Sequence, residues 1–182
     1  SKIMHNREPD RTSQGHATEL FTGWAEKFIR ENAAKDAPFF CYLAYNAVHG
    51  PLRTDESKPA SAPEAWVKKA TDRGVSFLRS DYVAILEHMD HNIGKLVNVL
   101  DELGIADNTL IVFSSDHGEM LGDHGLYTKS VPYEASVHVP LIVACPGIEG
   151  GRVSDALVEL IDLNPTICDL AGVPPLDNID AK

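Results

Sequence analysis

Residues 109–119 constrain this chain more than any other stretch. Thr109-Leu110-Ile111-Val112-Phe113 is a short continuous apolar run that passes without a break into Ser114-Ser115-Asp116-His117-Gly118-Glu119. A run that is apolar at every position, rather than alternating, suits a strand covered on both faces, as in a parallel sheet. Two other runs share this character. Phe39-Phe40-Cys41-Tyr42-Leu43-Ala44-Tyr45 leads into Asn46-Ala47-Val48-His49-Gly50-Pro51, and Leu141-Ile142-Val143-Ala144-Cys145 is closed by Pro146-Gly147.

Helical patterns separate the runs. A helix is predicted from near Thr22, with Leu20, Phe21, Trp24 and Phe28 as its apolar stripe, ending before Pro38. A second, longer helix follows Ser80 as its N-cap. Val83, Leu86, Met89, Ile93, Leu96, Val97 and Leu100 form its apolar face, and Gly104 is its stop. A short third helix spans Pro165 to Ala171 and ends at Gly172. This order predicts an α/β fold, a mostly parallel mixed sheet flanked by helices. The chain, 1–182, reads as one domain, with 1–17 irregular and 50–75 a long surface loop. At 182 residues, 43% of them hydrophobic, it is long enough to bury a core.

Charge and composition narrow the function. The formal net charge of -11 argues against nucleic acid as a partner, because the chain would repel the phosphate backbone. A local cluster of cations or a bound metal would still let it hold an anionic substrate. No apolar run approaches the roughly 20 residues of a membrane helix. The opening SKIMHNREPD lacks the pattern of a signal peptide. Cys41, Cys145 and Cys168 are read as buried small hydrophobes, since none has metal-ligand spacing and the odd count disfavours a disulfide framework.

In parallel α/β sheets ligands gather beyond the carboxyl ends of the strands, where the two polar clusters fall. Asp116 and His117 each offer a lone pair to a divalent cation, and Gly118 lets the backbone turn past them. On spacing alone Asp116 serves equally well as a turn residue. Asp123 and His124 extend the cluster as further ligands or as groups that orient it. Lys129 can bind an anionic oxygen as a point charge, and His49 can act as a general acid or anion ligand. His88 and His91, with Glu87 and Asp90, could form a metal pair, but their otherwise polar helix face reads better as a solvated one, and Asp90 as a buried or half-buried hydrogen-bonding residue.

Together these segments resemble the sulfatase family of the alkaline-phosphatase superfamily. The resemblance runs from about Thr18 to the C-terminus. It is carried by Pro38-Phe39-Phe40, Ala44 to Pro51, Met89-Asp90 with Ile93-Gly94, and Asn108 through Gly125. Lys129 with Pro132-Tyr133-Glu134, Val139 to Ile142, and Asp162 to Val173 continue it. The resemblance implies a partial sulfatase catalytic domain that acts on a small-molecule or glycan sulfate ester. Asp116 and His117 would be two ligands of a divalent cation, usually Ca²⁺, with Mn²⁺ or Zn²⁺ as alternatives. Lys129 would bind a sulfate oxygen. His49 would contact the sulfate and protonate the leaving oxygen.

The family nucleophile is a formylglycine made in a Cys/Ser-x-Pro/Ala-x-Arg segment, and none of the three cysteines lies in one. The chain is therefore expected to be a piece that lacks the nucleophile segment, the N-terminal acidic ligands and the C-terminal subdomain. Such a piece would be inactive alone and prone to self-association. A phosphonate or phosphate ester hydrolase of the same superfamily, and a non-catalytic module that kept the fold, are the alternatives. The resemblance suggests a periplasmic, secreted or lysosomal source.

Overall fold

The computed structural model describes residues 3–5, 8–10, 14–49, 60–177 and 180–181, and divides the chain into two compact units, Ser1–Thr109 and Leu110–Lys182. The first unit opens with a two-stranded antiparallel hairpin, β1 (Ile3–His5) and β2 (Glu8–Asp10), where the sequence predicted irregular chain. Three helices follow: α1 (Ala17–Ala33), α2 (Glu64–Asp72) and α3 (Phe77–Glu102).

Helix α1 starts earlier than predicted because His16 caps it, the ring accepting the Thr18 N–H at 3.3 Å. Its buried face is Thr18, Thr22, Ala25 and Ile29, a spacing of four, three and four. Phe21, Trp24 and Phe28 lie beside that face; Phe21 and Trp24 line an open groove with Cys41–Ala44, and Phe28 stacks edge-on with Phe39. Helix α2 corrects the expected loop over 50–75. Residues 50–59 lie outside the described ones, but 64–72 are helical, with Val67 and Ala70 buried. Helix α3 begins with Ser76 as N-cap rather than Ser80. Ser80 is inside the first turn, fully buried, its hydroxyl donating to the Phe77 carbonyl at 2.8 Å. Gly104, in the left-handed region at φ 67°, ends the helix as expected.

The segment 38–46 joins no strand ladder among the described residues, which corrects the predicted first strand. It is held instead by side chains: Tyr45 shares a 2.7 Å hydrogen bond with Thr22, and burial raises the pKa of its phenol. Ala47 and Val48 pack against a core of Ala62, Val67, Ala84 and Ile85, and this contact fixes the turn that presents His49.

The second unit is built on β3 (Ile111–Ser114) and β4 (Leu141–Ala144), paired antiparallel with Val112 opposite Val143. The two strands fall where the sequence placed them, but the strand pairing formed among the described residues is antiparallel, not parallel. Every residue of β4 is exposed, Ile142 by 61% and Val143 by 50%. An apolar strand in that state is one whose covering layers are not among the described residues. A four-residue helix, α4 (Glu134–Val137), precedes β4, and α5 (Leu163–Leu170) follows it, with Pro165 in its first turn. The cysteines are all free, with Cys41 exposed and Cys145 and Cys168 half-buried, so the expected burial is not met in this chain.

Candidate functional site

The polar cluster after β3 is organised from its own main chain. The Ser115 hydroxyl donates to the His117 carbonyl at 2.8 Å, and the Asp116 carboxylate accepts the His117 N–H at 3.0 Å. Asp116 projects into solvent, 85% exposed. His117 Nδ1 lies 2.8 Å from the Gly118 carbonyl, which can only accept, so Nδ1 carries a proton. His117 Nε2 stands 3.5 Å from Asp116 Oδ2. A carboxylate and an imidazole nitrogen this close suit a shared cation. The donor set therefore fits two ligands of a divalent ion. It cannot complete the six or more that a hard cation takes, and no group of three His, Cys, Asp or Glu side chains able to hold a metal forms among the described residues.

Gly118 is required here for a reason other than the expected turn, since its φ is not in the left-handed region. Its N–H donates to the Ser136 carbonyl at 2.8 Å, and a Cβ added at Gly118 would stand 2.0 Å from the Ala135 carbonyl oxygen. Only glycine lets the α4 backbone approach so closely.

Residues 119–129 form a compact loop on this base. Met120 is fully buried, and its N–H donates to the Thr128 carbonyl at 2.9 Å. Three non-glycine residues adopt the left-handed region: Leu121 at φ 49°, His124 at 54° and Thr128 at 70°. Each such placement costs on the order of 1–3 kcal/mol and persists only where neighbours enforce it. Glu119 does so at two of the three. Its Oε1 accepts the Thr128 N–H at 2.5 Å and, at a long 3.4 Å, that of Leu121. His124 stacks on Tyr133, centroids 4.5 Å apart and planes 22° from parallel. Asp123 and His124 are exposed and do not gather with Asp116 and His117 into one ligand cluster.

Lys129 leaves this loop half-buried, and its main-chain carbonyl accepts the Ser136 hydroxyl at 2.5 Å. Its ammonium forms no ion pair among the described residues. His49 belongs to the first unit. It is exposed at the end of the 38–46 segment, its N–H donating to the Asn46 carbonyl at 2.7 Å. Sequence reasoning missed Glu119 and Ser136 as organisers of the site; Glu119 was visible only as part of the run after Asp116.

His88 corrects another expectation. It is 1% exposed rather than solvated, with Nε2 3.1 Å from Glu19 and the ring packed against His16 and Trp66. Facing a carboxylate, Nε2 carries the proton, which leaves Nδ1 as a buried acceptor without a hydrogen-bond partner among the described residues. Burial lowers the His88 pKa, and the hydrogen bond to Glu19 only partly opposes this. His91 also packs against Trp66, and Asp90 is exposed rather than buried.

The family model for sulfatases matches residues 3–173. An arylsulfatase of Clostridium perfringens is 34% identical over 194 residues, covering 91% of this chain and 40% of the relative. The chain thus spans well under half the length of the curated relatives it matches. Among solved structures, Ps i-CgsB in complex with k-i-k-neocarrahexaose matches 100% of this chain and 40% of its own, with a TM-score of 0.82 and 28% identity. The phosphonate monoester hydrolase of Agrobacterium radiobacter matches 88% of this chain and 40% of its own, with a TM-score of 0.68 and 27% identity.

Proposed function

The chain belongs to the sulfatase family, with the α/β, alkaline-phosphatase-like fold expected of it, and from this we propose that its parent protein hydrolyses sulfate esters. This stretch would supply part of the cation site and an anion ligand. One observation carries the reading: the Asp116 carboxylate and His117 Nε2, both able to ligate a cation, stand 3.5 Å apart at a strand end. When bound there, a divalent cation would withdraw charge from the non-bridging oxygens of the ester. Its other ligands would come from the parent. Carboxylate and carbonyl oxygens elsewhere would favour Ca²⁺, while the imidazole of His117 draws the preference toward Mn²⁺ or Zn²⁺.

Lys129 would bind a sulfate oxygen. Its ammonium is uncommitted to any described carboxylate, and its backbone is fixed through the Ser136 hydroxyl. His49 would donate a proton to the leaving oxygen, from a turn held by Ala47 and Val48 on the first unit's core. The nucleophile is expected from a formylglycine segment elsewhere in the parent, since Cys41, Cys145 and Cys168 lack the neighbours of one. The oligosaccharide bound by Ps i-CgsB favours a glycan ester as substrate. Alone, this chain would self-associate through the exposed apolar strand β4.

A phosphonate or phosphate ester hydrolase is the second reading, favoured by the Agrobacterium radiobacter neighbour. Asp116→Ala in the full-length protein tests both. The variant should keep its far-ultraviolet circular dichroism, because Asp116 is 85% exposed, while losing bound metal and at least about a hundredfold in turnover. A panel of 4-nitrophenyl sulfate, phosphate and phenylphosphonate esters separates the two readings. A variant that keeps its metal and its rate would leave Asp116 a turn residue, whereas a wild-type protein with neither metal nor turnover would favour the module without catalysis.

A further inference from the structure

Between Gly118 and Ser136 the chain is hydrogen-bonded to itself at several points, and Lys129 lies next to one of them and takes part in another. Thr128, the residue before it, is β-branched and stands at φ 70°, where such residues are rarely found. Its N–H donates to Glu119 Oε1 at 2.5 Å, and its carbonyl accepts the Met120 N–H at 2.9 Å. Consecutive residues of one short stretch therefore hold both polar groups of Thr128. The fully buried Met120 anchors that stretch from beneath. On the far side, Ser136 takes the Lys129 carbonyl with its hydroxyl and offers its own carbonyl to the Gly118 N–H.

We propose that Glu119 is the positioning residue for Lys129, its carboxylate locking the left-handed turn at Thr128 from which the lysine is presented. This rests on the reading of Lys129 as the anion ligand. Without the carboxylate, the Thr128 N–H loses its acceptor, and the Met120 N–H on the Thr128 carbonyl is left as the remaining bond against the extended region the residue prefers. The turn then relaxes, and the start of the Lys129 side chain moves with it. The role needs an acceptor oxygen at the end of a two-methylene stem. Glu119→Gln supplies one and Glu119→Ala does not.

The test uses the full-length enzyme with 4-nitrophenyl sulfate as the probe. Glu119→Ala should lower kcat/KM by about tenfold or more, and Glu119→Gln should stay within about threefold of wild type. Added to Lys129→Ala, Glu119→Ala should cost less than about threefold further, because a residue that acts through another is silent once that other is gone. Hydrogen exchange of the peptide spanning 121–131, read by mass spectrometry, should accelerate in Glu119→Ala and not in Glu119→Gln. An undiminished penalty in the Lys129→Ala background would overturn the proposal, as would exchange unchanged by Glu119→Ala. If Lys129→Ala itself leaves turnover intact, the anion-ligand reading fails, and the positioning role fails with it.

Discussion

Gly118→Ala offers the sharpest test of how the site is built. The added methyl carbon would stand 2.0 Å from the Ala135 carbonyl oxygen and 2.9 Å from its carbon, both backbone atoms that no rotamer change can move. Relief requires the Gly118 strand end and α4 to separate by about 1 Å, and that separation breaks the 2.8 Å hydrogen bond from Gly118 to Ser136. The lost bond costs about 1 kcal/mol, and the forced shift about 1–3 kcal/mol more. A total of about 2–4 kcal/mol should lower Tm by at least about 4 °C if the unfolding unit has about 150–250 residues, and by proportionately less in a larger one. Because His117 and Glu119 flank the substituted position, turnover should also fall by at least about tenfold. Gly94→Ala is the control. Gly94 lies inside α3, and outside its own helix turn no described atom comes within 4 Å of the built methyl, so the substitution should stabilise the protein by about 0.5–1 kcal/mol. The assay is thermal unfolding of the full-length variants alongside ester turnover. Wild-type Tm and rate in Gly118→Ala would refute the steric argument outright.

Two further outcomes are expected. Burial holds His88 below its ordinary pKa of 6.5, so the unfolded chain takes up that proton more readily than the folded one. Stability is then fully present above about pH 6.5 and declines as pH falls below it toward the folded pKa. Burial raises the Glu19 pKa, but the hydrogen bond and charge of His88 and the contributions of His16 outweigh it. The net lowering below 4.5 adds a second loss at more acid pH. In His88→Gln the first step should vanish, measured by urea unfolding at pH 7.5 and pH 5.5; an unchanged slope would place the acid sensitivity elsewhere. The isolated 182-residue chain should self-associate at high concentration because β4 is apolar and exposed, and a clean monomer by light scattering would count against this.

The sequence was most legible where one signal sufficed. The apolar run ending in Asp116-His117 located β3 and the candidate ligands, and Gly104 located the end of α3. It was least legible where a neighbour decides. The composition of 50–75 hid α2, whose only cue was the small stripe of Trp66, Val67 and Ala70. That omission explains the misreading of His88: its own helix face is polar, and Trp66 from α2 is among the groups that bury it. Ser80 looked like a cap because it precedes an apolar face, yet Phe77 extends the helix one turn earlier and takes the Ser80 hydroxyl. The parallel pairing inferred from continuous apolar runs concerns partner strands, which a run's own residues do not specify. The role of Glu119 was hidden because it depends on the backbone conformation of Thr128, and residue identity does not encode that.

The bonds that organise the loop from Gly118 to Ser136 all join residues fewer than twenty positions apart. Closing a loop of that length costs only about 2–3 kcal/mol of chain entropy. Contacts of such short separation are also those that form fastest. During synthesis this segment can therefore acquire its turns once it has left the ribosome, without waiting for distant strands. The complete site would then arise by docking other parts of the protein onto a half that is already shaped, and errors in that docking would leave the lysine loop itself intact.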